Sequence, residues 1–162
     1  MTDPPFSGFL RRSLDVLSRE APRAAGALCE LLSKIRLCVS VDGERLSLVV
    51  ARGRLGVYPV QRLGDTFLAT RRATLVDLLE GRRSLLDAVL DDSVELRGAV
   101  DDLLVVDQAL LTYLHGAVRS QSFPELLREF SMSADVASAK GPLSNRRLND
   151  ERRKTDSEQR AG

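Results

Sequence analysis

The 162-residue sequence has little of what enzymes and metalloproteins use at their sites. It contains one histidine, two cysteines and no tryptophan, and only 4% of its residues are aromatic. A single histidine excludes His-rich zinc sites, and the separation of Cys29 and Cys38 fits neither a CxxC pair nor a zinc ligand set. Both cysteines fall in apolar patterns, where a reduced thiol behaves as a small hydrophobic group. The sequence therefore predicts a protein without a metal or other cofactor.

Catalytic constellations are absent as well. His115, the one candidate base, falls on a predicted helix, where a solvated or packed histidine is the expected role. The acidic pairs Asp91-Asp92 and Asp101-Asp102 fall at a turn and at a helix start, where carboxylates cap backbone N–H groups. Gly53 and Gly56 do not complete a nucleotide-binding fingerprint. These observations predict that the protein is not an enzyme.

Strong charge of one sign and long apolar runs are also missing. The net charge is +1, which gives no global field for attracting nucleic acid. The arginines are interleaved with acids and lack the neighbouring aromatics that stack on bases. No run approaches the roughly 18 apolar residues of a membrane span, and the first five residues do not resemble the start of a secretion signal. We expect a cytoplasmic protein with no nucleic-acid partner and no stable membrane insertion.

Hydrophobic periodicity predicts two helices followed by an antiparallel meander. Apolar residues recur at helical spacing from Phe9 to about Ser18 and from Pro22 to about Ser33. The period then changes to two, with turn signals at Asp42-Gly43 and at Gly53. Residues 65–70 offer a fourth strand. The first half of the chain thus predicts helices that pack on a sheet.

The next segment predicts two short helices, a strand and a long helix. The helices are indicated by the capping boxes Thr74–Asp77 and Ser84–Asp87, the first helix ending at Gly81. Alternation over residues 93–97 predicts a strand with Val94 and Leu96 inward and Glu95 and Arg97 outward. A long helix then runs from Asp101 to about Arg119.

The chain ends with a predicted short helix and a polar tail. The helix spans Pro124 to Phe130, with Ser122 as its N-cap. Residues 131–162 carry too few apolar side chains to offset the entropy of ordering them, so we expect a disordered tail. The remaining residues, 1–130, predict a single domain.

The apolar face of the long helix is wider than one flank of a sheet usually covers. Leu104, Leu111 and Val118 widen its main stripe. This width suggests an alternative function, in which the protein pairs with itself or with another chain through this helix and has a filled core. A homodimer or a partner protein is then expected on this face.

The order of elements resembles the sterol carrier protein lipid-binding domain family over about residues 20–130. The similarity is carried by Leu75–Gly81, by Leu85–Leu90 and by the strand Val94–Gly98 that ends on a glycine. Pro22 followed by a helix and the Asp42-Gly43 hairpin agree with it. The turn before the strand departs from the family, because Asp91-Asp92 stands where the family often has glycine.

The resemblance implies an α/β (α+β) fold, with a mostly antiparallel sheet of about five strands and helices packed on one face. It also implies an apolar tunnel for a lipid or acyl chain, gated by the C-terminal helix. The protein would then bind a lipid or other hydrophobic ligand without catalysis, as a carrier or accessory module. The residues expected to contact that ligand are Leu78, Leu85, Val89, Leu96, Leu110, Phe123, Leu127 and Phe130.

Overall fold

The computed structural model describes residues 5–60 and 64–139. These residues form six helices and five strands around one hydrophobic core. The elements are α1 (Phe6–Glu20), α2 (Pro22–Leu32), β1 (Leu37–Val41), β2 (Glu44–Ala51), β3 (Arg54–Pro59), β4 (Thr66–Thr70), α3 (Arg72–Leu79), α4 (Leu85–Leu90), β5 (Val94–Arg97), α5 (Val100–Arg119) and α6 (Phe123–Ala139).

The five strands form one sheet in the order β3-β2-β1-β4-β5. Three of the four neighbouring pairs are antiparallel, as predicted, but β1 and β4 run parallel at the centre. The sheet is therefore mixed. The reason is topological: after β3 the chain crosses to the far side of β1, and β4 then runs in the same direction as β1. A period of two in the sequence carries no information about that direction.

The two hairpin turns confirm the predictions made from their residues. Asp42 and Gly43 have φ values of +50° and +88°, and Arg52 and Gly53 have +51° and +70°. Positive φ at both central residues matches the right-handed twist of the flanking strands, which is why Asp-Gly suits a two-residue turn. The register pairs Val41 with Glu44, so the first turn contains these two residues alone.

The helices cover one face of the sheet. Helices α1 and α2 contact β2 and β3 on that face. Its buried strand residues are Leu37, Val39, Val41, Leu46 and Leu48. Val49 and Tyr58 on the opposite face are exposed. Cys38 also points to that opposite face, but it is buried because β1 is the central strand. Val94 in β5 is buried and Leu96 is half-buried, which agrees with the predicted inward positions at a sheet edge.

Of the two predicted caps in this part of the chain, one is absent and one is present. Thr74 is not the cap of α3, because the helix begins at Arg72, where the Asp42 carboxylate accepts a hydrogen bond from the backbone N–H (3.1 Å). The cap at Ser84 is confirmed, since its hydroxyl accepts from the N–H of Asp87 at 3.1 Å. The Asp87 carboxylate accepts from the same hydroxyl at 2.6 Å.

The last helix, α6, is longer than predicted. It begins at Phe123 and continues to Ala139, not to Phe130. The sequence loses its apolar period after Phe130 but contains no glycine or proline until Gly141-Pro142, so nothing before that point opposes helical geometry. The predicted tail thus begins inside this helix, and residues 140–162 lie outside the described residues.

Two further helix starts are also capped by distant carboxylates. Glu44 in β2 accepts hydrogen bonds from the N–H groups of Phe6 (2.7 Å) and Ser7 (3.0 Å) at the start of α1. Glu20, at the end of α1, accepts hydrogen bonds from the N–H (3.1 Å) and the hydroxyl of Ser122, which precedes α6. The positions of these helices are thus fixed by the rest of the domain.

Candidate ligand cavity

An apolar cavity of about 120 Å³ lies between the sheet and the helices. Residues of α1, α2, α3 and α5 and of strands β1–β3 form its wall. All are aliphatic or aromatic, and only Tyr113 also carries a hydroxyl. The lining includes Leu10, Leu32, Leu48, Leu79, Leu110 and Tyr113. A space with this lining favours an apolar group over water, because water needs polar partners.

The size of the cavity limits what it can hold as it stands. Cavities of about 150 Å³ with apolar walls accept a molecule as small as benzene, whereas sites for drug-sized ligands occupy about 300–1,000 Å³. The present cavity therefore accommodates a small ring or the end of an aliphatic chain. A complete lipid chain requires additional space.

That space is available in a neighbouring groove. An opening of about 860 Å³ lies between α1, α2 and the edge strand β3. Leu14, Leu28 and Leu55 line both the cavity and the groove. The two spaces are therefore adjacent, with these three leucine side chains between them.

The groove differs from the cavity in its polarity. Its wall includes the charged side chains of Arg11, Asp15 and Arg54. One Arg11 guanidinium nitrogen donates to the Val57 carbonyl oxygen of β3 at 3.1 Å, which holds α1 beside this strand. A molecule lying across both spaces would meet apolar residues at its inner end and charged groups at its outer end.

The Tyr113 hydroxyl is the buried polar group beside the cavity. Burial raises its pKa well above the usual range, so it remains a neutral phenol. The Ser13 hydroxyl acts in the opposite direction and lowers the pKa of Tyr113. The hydrogen of that hydroxyl is donated to the Leu10 carbonyl oxygen at 2.8 Å. Among the described residues, no partner reaches the Tyr113 hydroxyl in hydrogen-bond geometry. A neutral, desolvated phenol is unsuited to act as a general base.

The structure places the predicted ligand residues in different parts of the core. Leu110 lines the cavity, whereas the other seven do not. Leu78 and Leu85 are buried elsewhere, and Val89 and Leu96 are half-buried beside the core. The three predicted residues of α6 are buried behind the cavity wall: Phe123, Leu127 and Phe130.

Much of the cavity wall comes from α1 and α3. These wall residues were not predicted from the sequence. Phe6, Phe9 and Leu10 come from α1, which lies before the segment that carries the resemblance. Leu75 and Leu79 come from α3, where Leu78 was the predicted contact. The spacing of four between Leu75 and Leu79 is a signal that both lie on one helix face.

An aromatic cluster joins the cavity wall to α6. The Phe130 ring stacks on Phe9 with 4.1 Å between centroids and lies 6.1 Å from Phe6. Its other neighbour is the Arg72 guanidinium, whose central carbon is 4.7 Å from the ring centroid, within the range of a cation–π contact. Helix α6 thus supports Phe6 and Phe9 from behind and does not itself line the cavity.

The described residues contain no group of three His, Cys, Asp or Glu side chains that could hold a metal ion. His115 is exposed on α5. None of the described helices is both long enough and apolar enough to cross a bilayer.

Comparison with known proteins gives a match by structure but not by sequence. No protein-family model and no curated protein sequence matches the chain. Among solved structures, the UbiJ-SCP2 ubiquinone synthesis protein is similar, with a TM-score of 0.54 and 19% identity over 70% of this chain and 96% of that one.

Two sterol carrier proteins are similar to nearly the same degree. The apo form of sterol carrier protein 2 from Yarrowia lipolytica has a TM-score of 0.52 and 13% identity, over 70% of this chain and 96% of its own. Sterol carrier protein domain 2 of Helicoverpa armigera has a TM-score of 0.52 and 12% identity, over 66% and 89%. The resemblance seen in the sequence is thereby confirmed at the level of structure: the chain has the fold of the sterol carrier protein 2 domain.

Proposed function

We propose that this protein binds a lipid or another hydrophobic ligand without catalysis, as a carrier or accessory module. The observation that carries the proposal is the apolar cavity between sheet and helices, in a fold shared with sterol carrier proteins. Burial of each methylene in such a space stabilises a complex by about 0.8 kcal/mol. The cavity wall offers a ligand no charged group for chemistry.

A lipid chain would bind by parting the three leucines between the cavity and the groove. Its apolar end would occupy the cavity, and its remaining length would lie in the groove along β3. The combined space falls in the range of known ligand sites. Loss of the contacts among Leu14, Leu28 and Leu55 and immobilisation of the ligand oppose binding, so we expect micromolar affinity.

The test is to fill the cavity and to measure binding. Ala109 is buried and lines the cavity, so Ala109→Leu places three more carbon atoms in the space. Ala69→Leu is the matched control, because Ala69 in β4 points to the opposite face of the sheet. We expect the cavity variant to weaken binding of a fluorescent fatty acid at least tenfold and the control to leave the affinity unchanged.

Two probes cover the ligand classes suggested by the similar structures. A fluorescent fatty acid represents acyl chains, and an isoprenoid quinone represents the ligands suggested by the ubiquinone synthesis protein. Native mass spectrometry of the purified full chain would report a retained lipid directly. If neither probe binds at concentrations up to about a millimolar and the mass is that of the bare chain, the proposed function is wrong.

A further inference from the structure

The outward face of α5 carries a row of exposed apolar side chains. Val100, Leu104, Leu111 and Val118 are 73%, 64%, 49% and 85% exposed. Ala109, Leu110 and Tyr113 of the same helix line the cavity, on the side of α5 away from that row. Helix α5 is therefore apolar on two sides, of which the domain covers one.

The exposed row has the spacing of a helix-pairing seam. Leu104, Leu111 and Val118 are seven residues apart, so they form a nearly straight stripe along one side of the helix. At 1.5 Å per residue the stripe is about 21 Å long. A surface of this shape fits another helix lying along it.

Polar residues beside the stripe are arranged in a definite order. Asp101, Gln108, His115 and Arg119 follow one another on the same flank, and all four are exposed. The flank is thus acidic near the N-terminus of α5 and basic near its C-terminus. In a symmetric antiparallel pair, this flank of one helix lies beside the same flank of the other helix. The acidic end of one flank therefore meets the basic end of the other.

We propose that the α5 face binds a second copy of this chain, with the two α5 helices antiparallel and related by a two-fold axis at Leu111. Leu104 of each copy then packs against Val118 of the other. On the flank, Asp101 lies within about 3 Å of the level of Arg119 of the second copy, and Gln108 within about 1.5 Å of the level of its His115, measured along the helix at 1.5 Å per residue. The same patch serves both molecules, which is the defining property of a two-fold interface.

The complementarity argues for a second copy over an unrelated partner. One helix face supplies an acidic group and a basic group on opposite sides of Leu111, at about 15 Å and about 12 Å from it along the helix, so each comes near the opposite charge of an antiparallel copy. A single pair of helices is a small interface, and interfaces below about 1,200 Å² are typical of transient complexes. We therefore expect a dimer with a dissociation constant in the micromolar range.

The first test is the mass of the full chain by sedimentation velocity across a concentration series. Leu111→Glu places two carboxylates together on the axis and should yield a monomer at every concentration. Leu86→Glu is the matched control, because Leu86 in α4 is similarly exposed (66%) but lies outside the α5 face. A wild-type chain that remains monomeric up to a millimolar, or equal effects of the two variants, would overturn the proposal.

The second test uses charge reversal and requires no apolar substitution. Asp101→Arg alone and Arg119→Asp alone each place like charges opposite one another in a homodimer, so each variant should dimerise at least tenfold more weakly. An equimolar mixture of the two should recover dimers, because both contacts then join opposite charges. Failure of the mixture to recover dimers, while each variant keeps its native circular dichroism, contradicts the antiparallel arrangement. The cavity lies on the other side of α5, so a variant that loses dimerisation should still bind ligand, and a variant that loses ligand binding should still dimerise.

Discussion

Removing the Phe130 ring should destabilise the domain strongly. Phe130 is 1% exposed and stacks on Phe9. Removal of the phenyl ring in Phe130→Ala loses about 2–3 kcal/mol of the free energy gained by transferring the ring from water to the core. The cavity left behind, between α1 and α6, raises the expected total to about 3–5 kcal/mol. For a domain of this size, each kcal/mol lowers the melting temperature by roughly 3–5 °C.

Urea denaturation followed by far-UV circular dichroism measures this loss. Met132→Ala is the control on the same helix, because Met132 is 64% exposed and its truncation should change stability by less than about 0.5 kcal/mol. A loss below about 1 kcal/mol for Phe130→Ala, or equal losses for the two variants, would show that α6 is not held by the aromatic cluster. It would also contradict a role of α6 in holding Phe6 and Phe9 in place.

Three further predictions concern caps and thiols. Hydrogen bonds from Ser122 hold the pKa of Glu20 below its usual value, so its contribution to stability is present at neutral pH and is lost as the pH falls through that lowered pKa. Glu20→Gln should therefore lower the melting temperature at pH 7. At a pH below the lowered pKa both side chains are uncharged, and the two proteins should have the same melting temperature. Asp42→Ala removes the cap of α3 and leaves alanine at positive φ, so it should cost about 2 kcal/mol by chemical denaturation. Burial raises the pKa of the Cys38 thiol, so iodoacetamide should alkylate Cys38 more slowly than the half-exposed Cys29, and peptide mass mapping would detect equal rates as a contradiction.

The features predicted best from the sequence are those fixed by neighbouring residues. The Asp42-Gly43 turn and the Ser84 cap were predicted because both depend on side chains within three positions. The start of α3 was not, because its cap is Asp42, 30 residues earlier in the chain. The parallel pairing of β1 with β4 was missed for the same reason, because the alternating pattern of a strand does not indicate which strand lies beside it or in which direction that strand runs.

The cavity was harder to predict than the fold. Leu78 and Leu79 are both buried, but only Leu79 lines the cavity. A short helix that is apolar on several sides does not reveal which side chain meets empty space and which meets another residue. The width of the apolar face on α5, by contrast, is visible in the sequence, and Leu104 and Val118 are indeed exposed.

The distant caps affect how the domain unfolds. Glu44, Asp42 and Glu20 serve helix starts that lie 38, 30 and 102 residues away in the chain. Separated from the remainder of the domain, α1, α3 and α6 would lose the acceptors for their first N–H groups, and helices of this length are marginal alone. Loss of tertiary packing should therefore abolish these helices in the same step, so that helix content and compactness disappear together as denaturant is added. Fragments cut from this chain would retain little of its helical structure.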